Sequence, residues 1–341
     1  MVIDIHSHVV PERFPDKAHR DARWPEMDHF EPGRARVMIA GANFRTVTEQ
    51  TWSRERRLAD MERDGVDAQV ISPMPELLSY WFSVADGMVM AESLNGFIAD
   101  MVAAAPERFY GLGTVPLQDP DVAAKALDGV AALGLQGVEV GSNVLGRSLG
   151  DERFLGFWQE VQRRGMAVFV HALHPTFADR LDGPDQVINA AGFPTDTGLT
   201  IASLIASGTL QACPHLRVAF SHGGGSFPFI LPRLENAWSG AWNEGDALVP
   251  GAPPSQLREK LAESPSAYAR RLYYDTLVFD HRAIRYLFQM MGHEQLVVGT
   301  DYPFFPREAP ATKTLRQMGL RDREVWEIES RNARRFLGIE S

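Results

Sequence analysis

The first residues of the chain carry two histidines, His6 and His8, separated by one serine. In an extended strand, side chains two residues apart point to the same face and lie about 7 Å apart along the backbone. Two imidazoles in that arrangement can bind one metal ion. A pair of structural histidines, buried and hydrogen-bonded, is the alternative, and the position of the pair in the fold decides between the two.

Three further titratable side chains come directly after short, mostly apolar runs. His171 follows Ala-Val-Phe-Val, His222 follows Val-Ala-Phe-Ser, and Asp301 follows Leu-Val-Val-Gly-Thr. Three imidazoles and a carboxylate describe a site for a divalent ion, Zn²⁺ first and Mn²⁺ as the alternative, with an open position for water or substrate. The glycine triplet at 223–225 either lets the backbone approach a substrate closely or lets the chain turn sharply after its strand.

Eight short runs rich in β-branched residues position these side chains. The predicted strands are residues 2–8, 66–72, 109–115, 137–141, 167–171, 217–222, 272–276 and 296–301. Amphipathic stretches between them predict helices over residues 86–105, 121–133, 151–164, 197–212, 226–242 and 281–291. This alternation is typical of the α/β class and of a closed (β/α)8 TIM barrel, whose active site lies at the C-terminal ends of the strands. We expect one such domain over residues 1–341.

Two segments depart from the alternation. Residues 9–50 form a long excursion after the first strand, rich in Pro, Arg and His and with weak periodicity. In a barrel this excursion lies on the face that carries active sites, so we expect a lid-like insertion, with an ordered decorative loop as the alternative. The helical pattern over residues 322–337 predicts a C-terminal helix that closes the outer ring.

Composition excludes several classes of function. The 341 residues include 34 basic and 44 acidic side chains, a net charge of −10 and 45% hydrophobic residues. No apolar run approaches the roughly 20 residues that span a bilayer, so we expect no membrane partner. The densest basic cluster, Arg54, Arg56 and Arg57, is typical of a solvated helix face, and we expect no nucleic-acid partner. A single cysteine, Cys213, and a start without a basic leader favour a cytoplasmic protein.

Several motifs together resemble one family over nearly the whole chain. They are Ile3-Asp4-Ile5-His6-Ser7-His8, Asn43-Phe44-Arg45, Gly65-Val66-Asp67-Ala68-Gln69-Val70, Val115-Pro116-Leu117-Gln118-Asp119, Val170-His171, Ser221-His222-Gly223-Gly224-Gly225-Ser226-Phe227, Arg233 with Asn236-Ala237-Trp238, and Gly299-Thr300-Asp301-Tyr302-Pro303-Phe304. In this order they resemble the amidohydrolase superfamily, and within it the metal-dependent decarboxylase branch typified by α-amino-β-carboxymuconate-ε-semialdehyde decarboxylase. The resemblance implies a homodimer that acts on a small carboxylic acid.

The resemblance also implies roles for the residues at the strand ends. His6, His8, His171 and Asp301 resemble the family's zinc ligands. His222 resembles the catalytic histidine beside a metal-bound water, and Asp301 is counted as catalytic together with it. The strand-end pattern by itself leaves open which of the imidazoles bind the ion.

Two arginines resemble those that hold substrate carboxylates in the family. Arg45 lies in the insertion, and Arg233 lies in the predicted helix over residues 226–242, from which it would reach the active site of the neighbouring subunit. In a protein of net charge −10, an anionic substrate needs local guanidinium groups that pair with its carboxylates in a bidentate manner. A surface or helix-end cation is the alternative for each arginine.

The segment after His171 departs from the family pattern. It reads Ala-Leu-His-Pro-Thr-Phe over residues 172–177, where the family has a proline and an aromatic residue and then a tryptophan further on. His174 is therefore either a second polar contact to a different substrate or a helix-starting histidine packed beneath the loop. The identity of the substrate stays open.

These features predict a metal-dependent non-oxidative decarboxylase of an unsaturated or aromatic carboxylic acid. The ion would lower the pKa of a bound water toward about 7, and His222 would exchange protons with that water. A metal-dependent hydrolase of an amide, lactone or ester begins with the same activated water, as does a hydratase, and CO₂ release separates the decarboxylase from the hydrolase. A catalytically silent barrel kept as a binding module is a third alternative, which the loss of a ligand would favour, but all five strand-end positions carry competent side chains.

Overall fold

The centre of the structure is a parallel sheet of eight strands that closes on itself. The computed structural model describes residues 1–240 and 255–339. The strands are β1 (Ile3–Val9), β2 (Glu26–Glu31), β3 (Arg34–Ile39), β4 (Ala42–Thr48), β5 (Ala68–Pro73), β6 (Phe109–Gly113), β7 (Gly137–Gly141), β8 (Asn143–Val144), β9 (Arg147–Ser148), β10 (Ala167–His171), β11 (Arg217–Phe220), β12 (Tyr273–Asp275) and β13 (Leu296–Val297). The large sheet has the order β1-β5-β6-β7-β10-β11-β12-β13. Its neighbouring strands pair in parallel. A backbone hydrogen bond from Ile5 to Val298 (2.9 Å) joins the end of β13 to β1, so the predicted TIM barrel is confirmed.

Helices follow each of the barrel strands. They are α1 (Arg54–Asp64), α2 (Val84–Ala104), α3 (Pro120–Ala132), α4 (Leu155–Arg164), α5 (Phe193–Ala206), α6 (Thr209–Ala212), α7 (Phe227–Ser239), α8 (Gln256–Lys260), α9 (Pro265–Ala269), α10 (His281–Met291), α11 (Lys313–Arg316), α12 (Asp322–Trp326) and α13 (Asn332–Leu337). Within residues 1–240 and 255–339, no helix is long and apolar enough to cross a bilayer.

Strand β10 illustrates how the barrel core orients the site. Val168 and Val170 pack in the apolar layer that also contains Trp158 of α4. Phe169 points the other way, into a second apolar cluster. Because side chains alternate along a strand, His171 continues on the Phe169 side, and the two ring centroids are 6.3 Å apart. The last residue of β10 therefore presents its imidazole inside the barrel.

The predicted lid-like insertion contains regular structure that the sequence reasoning missed. Residues 9–50 include the antiparallel sheet β2-β3-β4. Ala40 and Gly41, between β3 and β4, have φ angles of 51° and 77°, the conformation that a tight hairpin turn requires. Val37 of β3 packs with Trp24 and with Met74, the residue that follows β5. Apolar packing therefore attaches the insertion to the loop after β5.

Three predicted helices differ in their limits. The stretch predicted as one helix over residues 197–212 forms α5 and α6, because Gly208 adopts a φ of 83° between them. The helix predicted over residues 226–242 is α7, which ends before Gly240, and residues 241–242 lie outside the described residues. The C-terminal prediction over residues 322–337 forms α12 and α13, joined by a π-helical turn over Glu327–Arg331.

The C-terminal helix packs at the end of the barrel opposite the predicted site. The ring of Phe336 in α13 lies 5.6 Å from that of Tyr273, the first residue of β12. Arg217, the first residue of β11, donates a hydrogen bond of 2.8 Å to the carbonyl oxygen of Phe336. Both contacts involve strand starts, so α13 covers the N-terminal end of the barrel and leaves the C-terminal end to the histidines.

Candidate metal centre and active site

The four predicted metal ligands lie together at the C-terminal ends of their strands. His6 and His8 lie on β1, His171 ends β10, and Asp301 follows β13. The ring centroids of the three histidines are each 5.0 Å apart. Oδ1 of Asp301 lies 3.6 Å from Nε2 of His6 and 3.2 Å from Nε2 of His8. These distances bring the four side chains close together, as the predicted mononuclear site requires.

Each of these three histidines is held at its other ring nitrogen. Nδ1 of His6 lies 2.7 Å from Oδ2 of Asp275, Nδ1 of His8 lies 3.0 Å from the carbonyl oxygen of Pro73, and Nδ1 of His171 lies 2.8 Å from the carbonyl oxygen of the next residue. These oxygens accept hydrogen bonds, so each Nδ1 carries the hydrogen and each Nε2 keeps its lone pair. Among the described residues, none of the three buried Nε2 atoms has a hydrogen-bond partner. Buried lone pairs without a partner, on rings anchored from behind, fit the ligands of a metal ion.

The charges around His8 and Asp301 also fit a cation. The carboxylates of Glu139 and Asp301 lie 3.6 Å from Nδ1 and 3.2 Å from Nε2 of His8, and they make this part of the site negative. Burial raises the pKa of Asp301, but the nearby rings of His8 and His6 bring it well below its usual range, so the group is a carboxylate. Three imidazole nitrogens and a carboxylate in a region of negative potential suit Zn²⁺ or Mn²⁺.

His222 lies beside this set but is held differently. Its ring centroid is 5.3 Å from those of His6 and His171, and its buried Nδ1 has no hydrogen-bond partner in the described part of the chain. Burial and the charge of His6 lower the pKa of His222, so its imidazole is neutral at neutral pH. Donor atoms of His6, His171, His222 and Asp301 lie within 4.8 Å of one another, so distances alone permit His222 in place of His8 among the ligands. The anchored Nδ1 distinguishes His8 from His222.

A strained turn carries His222. His222 itself has a φ of 54°, and Gly223, Gly224 and Gly225 have φ angles of 64°, 74° and 61°. A Cβ on Gly224 would lie 2.7 Å from the ring of Tyr274, and one on Gly225 would lie 1.9 Å from the carbonyl oxygen of Pro194. Of the two interpretations of the triplet, the structure supports the sharp turn, because glycine is required there by both dihedral angle and packing.

Arg45 lies at the edge of the metal centre. Its guanidinium carbon is 4.6 Å from the centre of the Phe304 ring, which in turn stacks on His8 at 5.9 Å. One guanidinium nitrogen lies 3.7 Å from Oε1 of Glu76, and about a third of the Arg45 side chain (33%) is exposed. Arg45 is therefore a half-buried cation one ring away from the histidines, not a fully solvated one.

The two other predicted substrate contacts are exposed. His174 lies in a non-helical loop with a φ of 41°, and its ring centroid is 5.6 Å from that of Trp81. The alternative of a helix-starting histidine packed beneath the loop is therefore wrong. Arg233 is exposed on α7, and it is not part of the centre described above.

Two buried carboxylates belong to the site and were missed by the sequence reasoning. Asp275 ends β12 and contacts His6, and Oε2 of Glu139 on β7 lies 3.6 Å from Nδ1 of His8. Both side chains are fully buried. Asp275 carried the same signal as Asp301, a carboxylate at the end of a predicted strand. Glu139 had a weaker signal, a lone acidic residue inside the short run Gly-Val-Glu-Val-Gly.

The prediction that Arg57 lies on a solvated helix face is wrong. Arg57 is fully buried. Its guanidinium donates hydrogen bonds to the carbonyl oxygen of His8 (2.5 Å) and to Oε1 of Gln69 (3.0 Å). The buried cation therefore connects α1 to the end of β1 that carries the predicted metal ligands, through partners distant in sequence that no local pattern reveals.

The chain matches the amidohydrolase family over residues 3–339 and belongs to that family. Members of this family are metal-dependent enzymes, and the cluster of His6, His171, His222 and Asp301 agrees with that property. The relatives and neighbours named below are decarboxylases, that is, carboxy-lyases of this superfamily, and the chain resembles that branch of the family.

A protein of Dictyostelium discoideum named 2-amino-3-carboxymuconate-6-semialdehyde decarboxylase is 34% identical over 306 residues, which cover 89% of this chain and 81% of the relative. The crystal structure of 5-carboxyvanillate decarboxylase from Sphingomonas paucimobilis has a TM-score of 0.74 at 26% identity and covers 99% of both chains. A dihydroxybenzoic acid decarboxylase from a Polaromonas species, solved with bound manganese and the inhibitor 2-nitroresorcinol, has a TM-score of 0.72 at 20% identity and covers 99% of this chain and 97% of its own. At 20% identity, the similarity to this last structure shows a shared fold and nothing more.

Proposed function

We propose that the chain removes CO₂ without oxidation from an unsaturated or aromatic carboxylic acid. The observation that carries the proposal is the convergence of three anchored imidazoles and one carboxylate beside a neutral histidine. The names of the relatives support the substrate class, since they act on a carboxymuconate semialdehyde and a carboxyvanillate. The reaction breaks the bond between the carboxylate and its carbon, leaves the electron pair on that carbon and adds a proton there.

In this proposal His6, His8, His171 and Asp301 hold one divalent ion, Zn²⁺ with Mn²⁺ as the alternative. When bound, such an ion supplies positive charge next to the substrate and lowers the pKa of a water ligand toward about 7. Asp301 also belongs to the catalytic set, because its Oδ1 lies 3.2 Å from Nε2 of His8 and its side chain is 17% exposed, whereas that of His8 is fully buried.

His222 is the proton-transfer residue of the proposal. Its pKa is lowered by burial, so at neutral pH it can take a proton from a water molecule and return one to the carbon that loses CO₂. Its Nδ1 has no hydrogen-bond partner within residues 1–240 and 255–339. A ring nitrogen without a fixed partner remains available to a substrate or a water molecule.

Three residues bind the acid in the proposal. Arg45 pairs with a substrate carboxylate, and its place supports that role because the guanidinium lies over the ring of Phe304, which itself stacks on His8. Arg233 reaches the active site of the neighbouring subunit in a homodimer, and its exposure on α7 is compatible with that role. His174, edge-on to Trp81, contacts a second polar group of the substrate. Orientation of this kind lowers the barrier by several kcal/mol.

The experiment is a screen with controlled metal content. The protein is stripped with a chelator, reloaded with Zn²⁺ or Mn²⁺, and assayed for CO₂ release from a panel of unsaturated and phenolic carboxylic acids. We expect release by the loaded protein, loss in the His222→Gln variant, and wild-type release in the matched His281→Gln variant, whose histidine lies at the exposed start of α10. Hydrolysis of amides, lactones or esters by the loaded protein without CO₂ release from any acid would instead identify a hydrolase.

A further inference from the structure

The carboxylate of Asp275 contacts two different parts of the site. Asp275 ends β12 and is fully buried. Its Oδ2 lies 2.7 Å from Nδ1 of His6. Its Oδ1 accepts hydrogen bonds from the backbone N–H groups of Gly223 (2.9 Å) and Leu277 (3.1 Å). One side chain therefore joins a candidate metal ligand to the residue that follows His222.

From these contacts we propose that Asp275 is a positioning residue that fixes the ring tautomer of His6 and holds the turn that carries His222. The inference rests on the proposed role of His6 as a metal ligand. It goes further because one carboxylate then has two roles: it keeps the lone pair on Nε2 of His6, and it holds the proton-transfer histidine in place.

The contact between Asp275 and His6 sets the ring tautomer of His6. Oδ1 of Asp275 accepts hydrogen bonds from two backbone N–H groups, and an ionised carboxylate accepts at its other oxygen as well. An acceptor opposite Nδ1 of His6 places the ring hydrogen there and leaves the lone pair on Nε2. That lone pair faces Asp301 at 3.6 Å. Without Asp275, either nitrogen of His6 could carry the hydrogen.

The contact between Asp275 and Gly223 supports the turn after β11. Four successive residues there have positive φ angles, beginning with His222 at 54°, and a non-glycine residue in that region is strained. The hydrogen bond from Gly223 to Oδ1 satisfies the backbone N–H next to His222 and opposes relaxation of the turn. Gly299 leaves room for the carboxylate, since a Cβ there would lie 2.7 Å from Cβ of Asp275. Packing therefore holds the carboxylate between β13 and the turn.

The variant Asp275→Asn separates the role of Asp275 toward His6 from its role in the turn. Two backbone N–H groups face Oδ1, so the amide oxygen stays there and the amide nitrogen turns toward His6. A donor opposite Nδ1 moves the ring hydrogen of His6 to Nε2, where it blocks metal binding. We expect the dissociation constant for Zn²⁺ to rise about 10–100-fold, while the turn keeps its hydrogen bonds.

In Asp275→Ala the turn loses its acceptor as well, and hydrogen exchange of the Gly223 amide should be at least about 10-fold faster than in Asp275→Asn.

The readouts are the ¹⁵N spectrum of the histidine rings in the full-length, chelator-treated chain and the Zn²⁺ dissociation constant by chelator competition. The wild-type spectrum needs no variant: His6 must carry its hydrogen on Nδ1, and a hydrogen on Nε2 overturns the inference. Asp64→Asn is the matched control, a buried carboxylate paired with Arg63 and Arg307, and should change neither readout.

The outcomes distinguish this inference from the proposed function. If His6→Gln binds Zn²⁺ as the wild type does, the ligand set of the proposed function fails and this inference fails with it. If His6→Gln loses Zn²⁺ but Asp275→Asn keeps both the wild-type dissociation constant and the Nδ1 hydrogen, the ligand set stands and only the role of Asp275 is overturned.

Discussion

Substitution of Gly225 by alanine tests the reasoning that links the glycine triplet to the position of His222. Gly225 has a φ of 61° and a ψ of −128°, a region that only glycine occupies readily. A Cβ there would lie 1.9 Å from the carbonyl oxygen of Pro194 and 2.7 Å from its carbonyl carbon. These are backbone atoms at the start of α5, which no side-chain rotation can move away.

The magnitude follows from three contributions. The unfavourable dihedral angles cost about 1–3 kcal/mol, and insertion of a methyl group into a packed site costs about 1–3 kcal/mol. The lower entropy of the unfolded chain returns about 0.4–1 kcal/mol. Gly225→Ala should therefore lower the free energy of unfolding by about 1–6 kcal/mol.

Urea denaturation followed by circular dichroism and tryptophan fluorescence measures the change. Gly96→Ala is the matched control, because Gly96 lies inside α2 and its Cβ would meet no atom of the described residues within 4 Å. That substitution should raise stability by about 0.5–1 kcal/mol. A Gly225→Ala protein with the wild-type urea midpoint would refute the close-packed turn and the argument that the triplet exists to form it.

Two further predictions concern roles within the site. His222→Ala should purify with its metal and lose at least about 100-fold in turnover, whereas His171→Ala should lose the metal as well. Elemental analysis measures the metal content of both variants, and CO₂ release measures their turnover. A His222→Ala protein that purifies without metal would show that His222 is a ligand. Mixing Arg233→Ala subunits with His222→Ala subunits, each inactive alone, should restore about half of the wild-type activity per dimer, because one of the two sites then carries neither lesion. Absence of recovery despite measured subunit exchange would mean that Arg233 serves its own site or the fold.

The barrel and the strand-end residues could be predicted because their signals are local. An apolar run that ends in a histidine or an aspartate predicts both the strand and the direction in which its last side chain points. His171 illustrates this, since alternation along β10 sets its side from that of Phe169. The helix boundary at Gly208 was missed because a single glycine within an apolar pattern does not reveal its positive φ.

The sheet in the insertion and the buried Arg57 could not be predicted in the same way. The strands β2 and β4 are largely exposed, so they lack the clean apolar alternation that identifies a half-buried strand. Arg57 is buried because its partners, the carbonyl oxygen of His8 and the side chain of Gln69, come from β1 and β5. In sequence, a buried arginine bonded to distant partners resembles its exposed neighbours Arg54 and Arg56.

The central claim is that the centre formed by His6, His8, His171 and Asp301 catalyses loss of CO₂. The most direct measurement uses an acid from the panel labelled with ¹³C in its carboxylate and incubated in D₂O with metal-loaded or metal-stripped protein. We predict that the loaded protein releases ¹³CO₂ in step with product, that the product carries deuterium at the carbon that lost the carboxylate, and that the stripped protein does neither. Conversion of the acid with the ¹³C label retained in the organic product would contradict the claim.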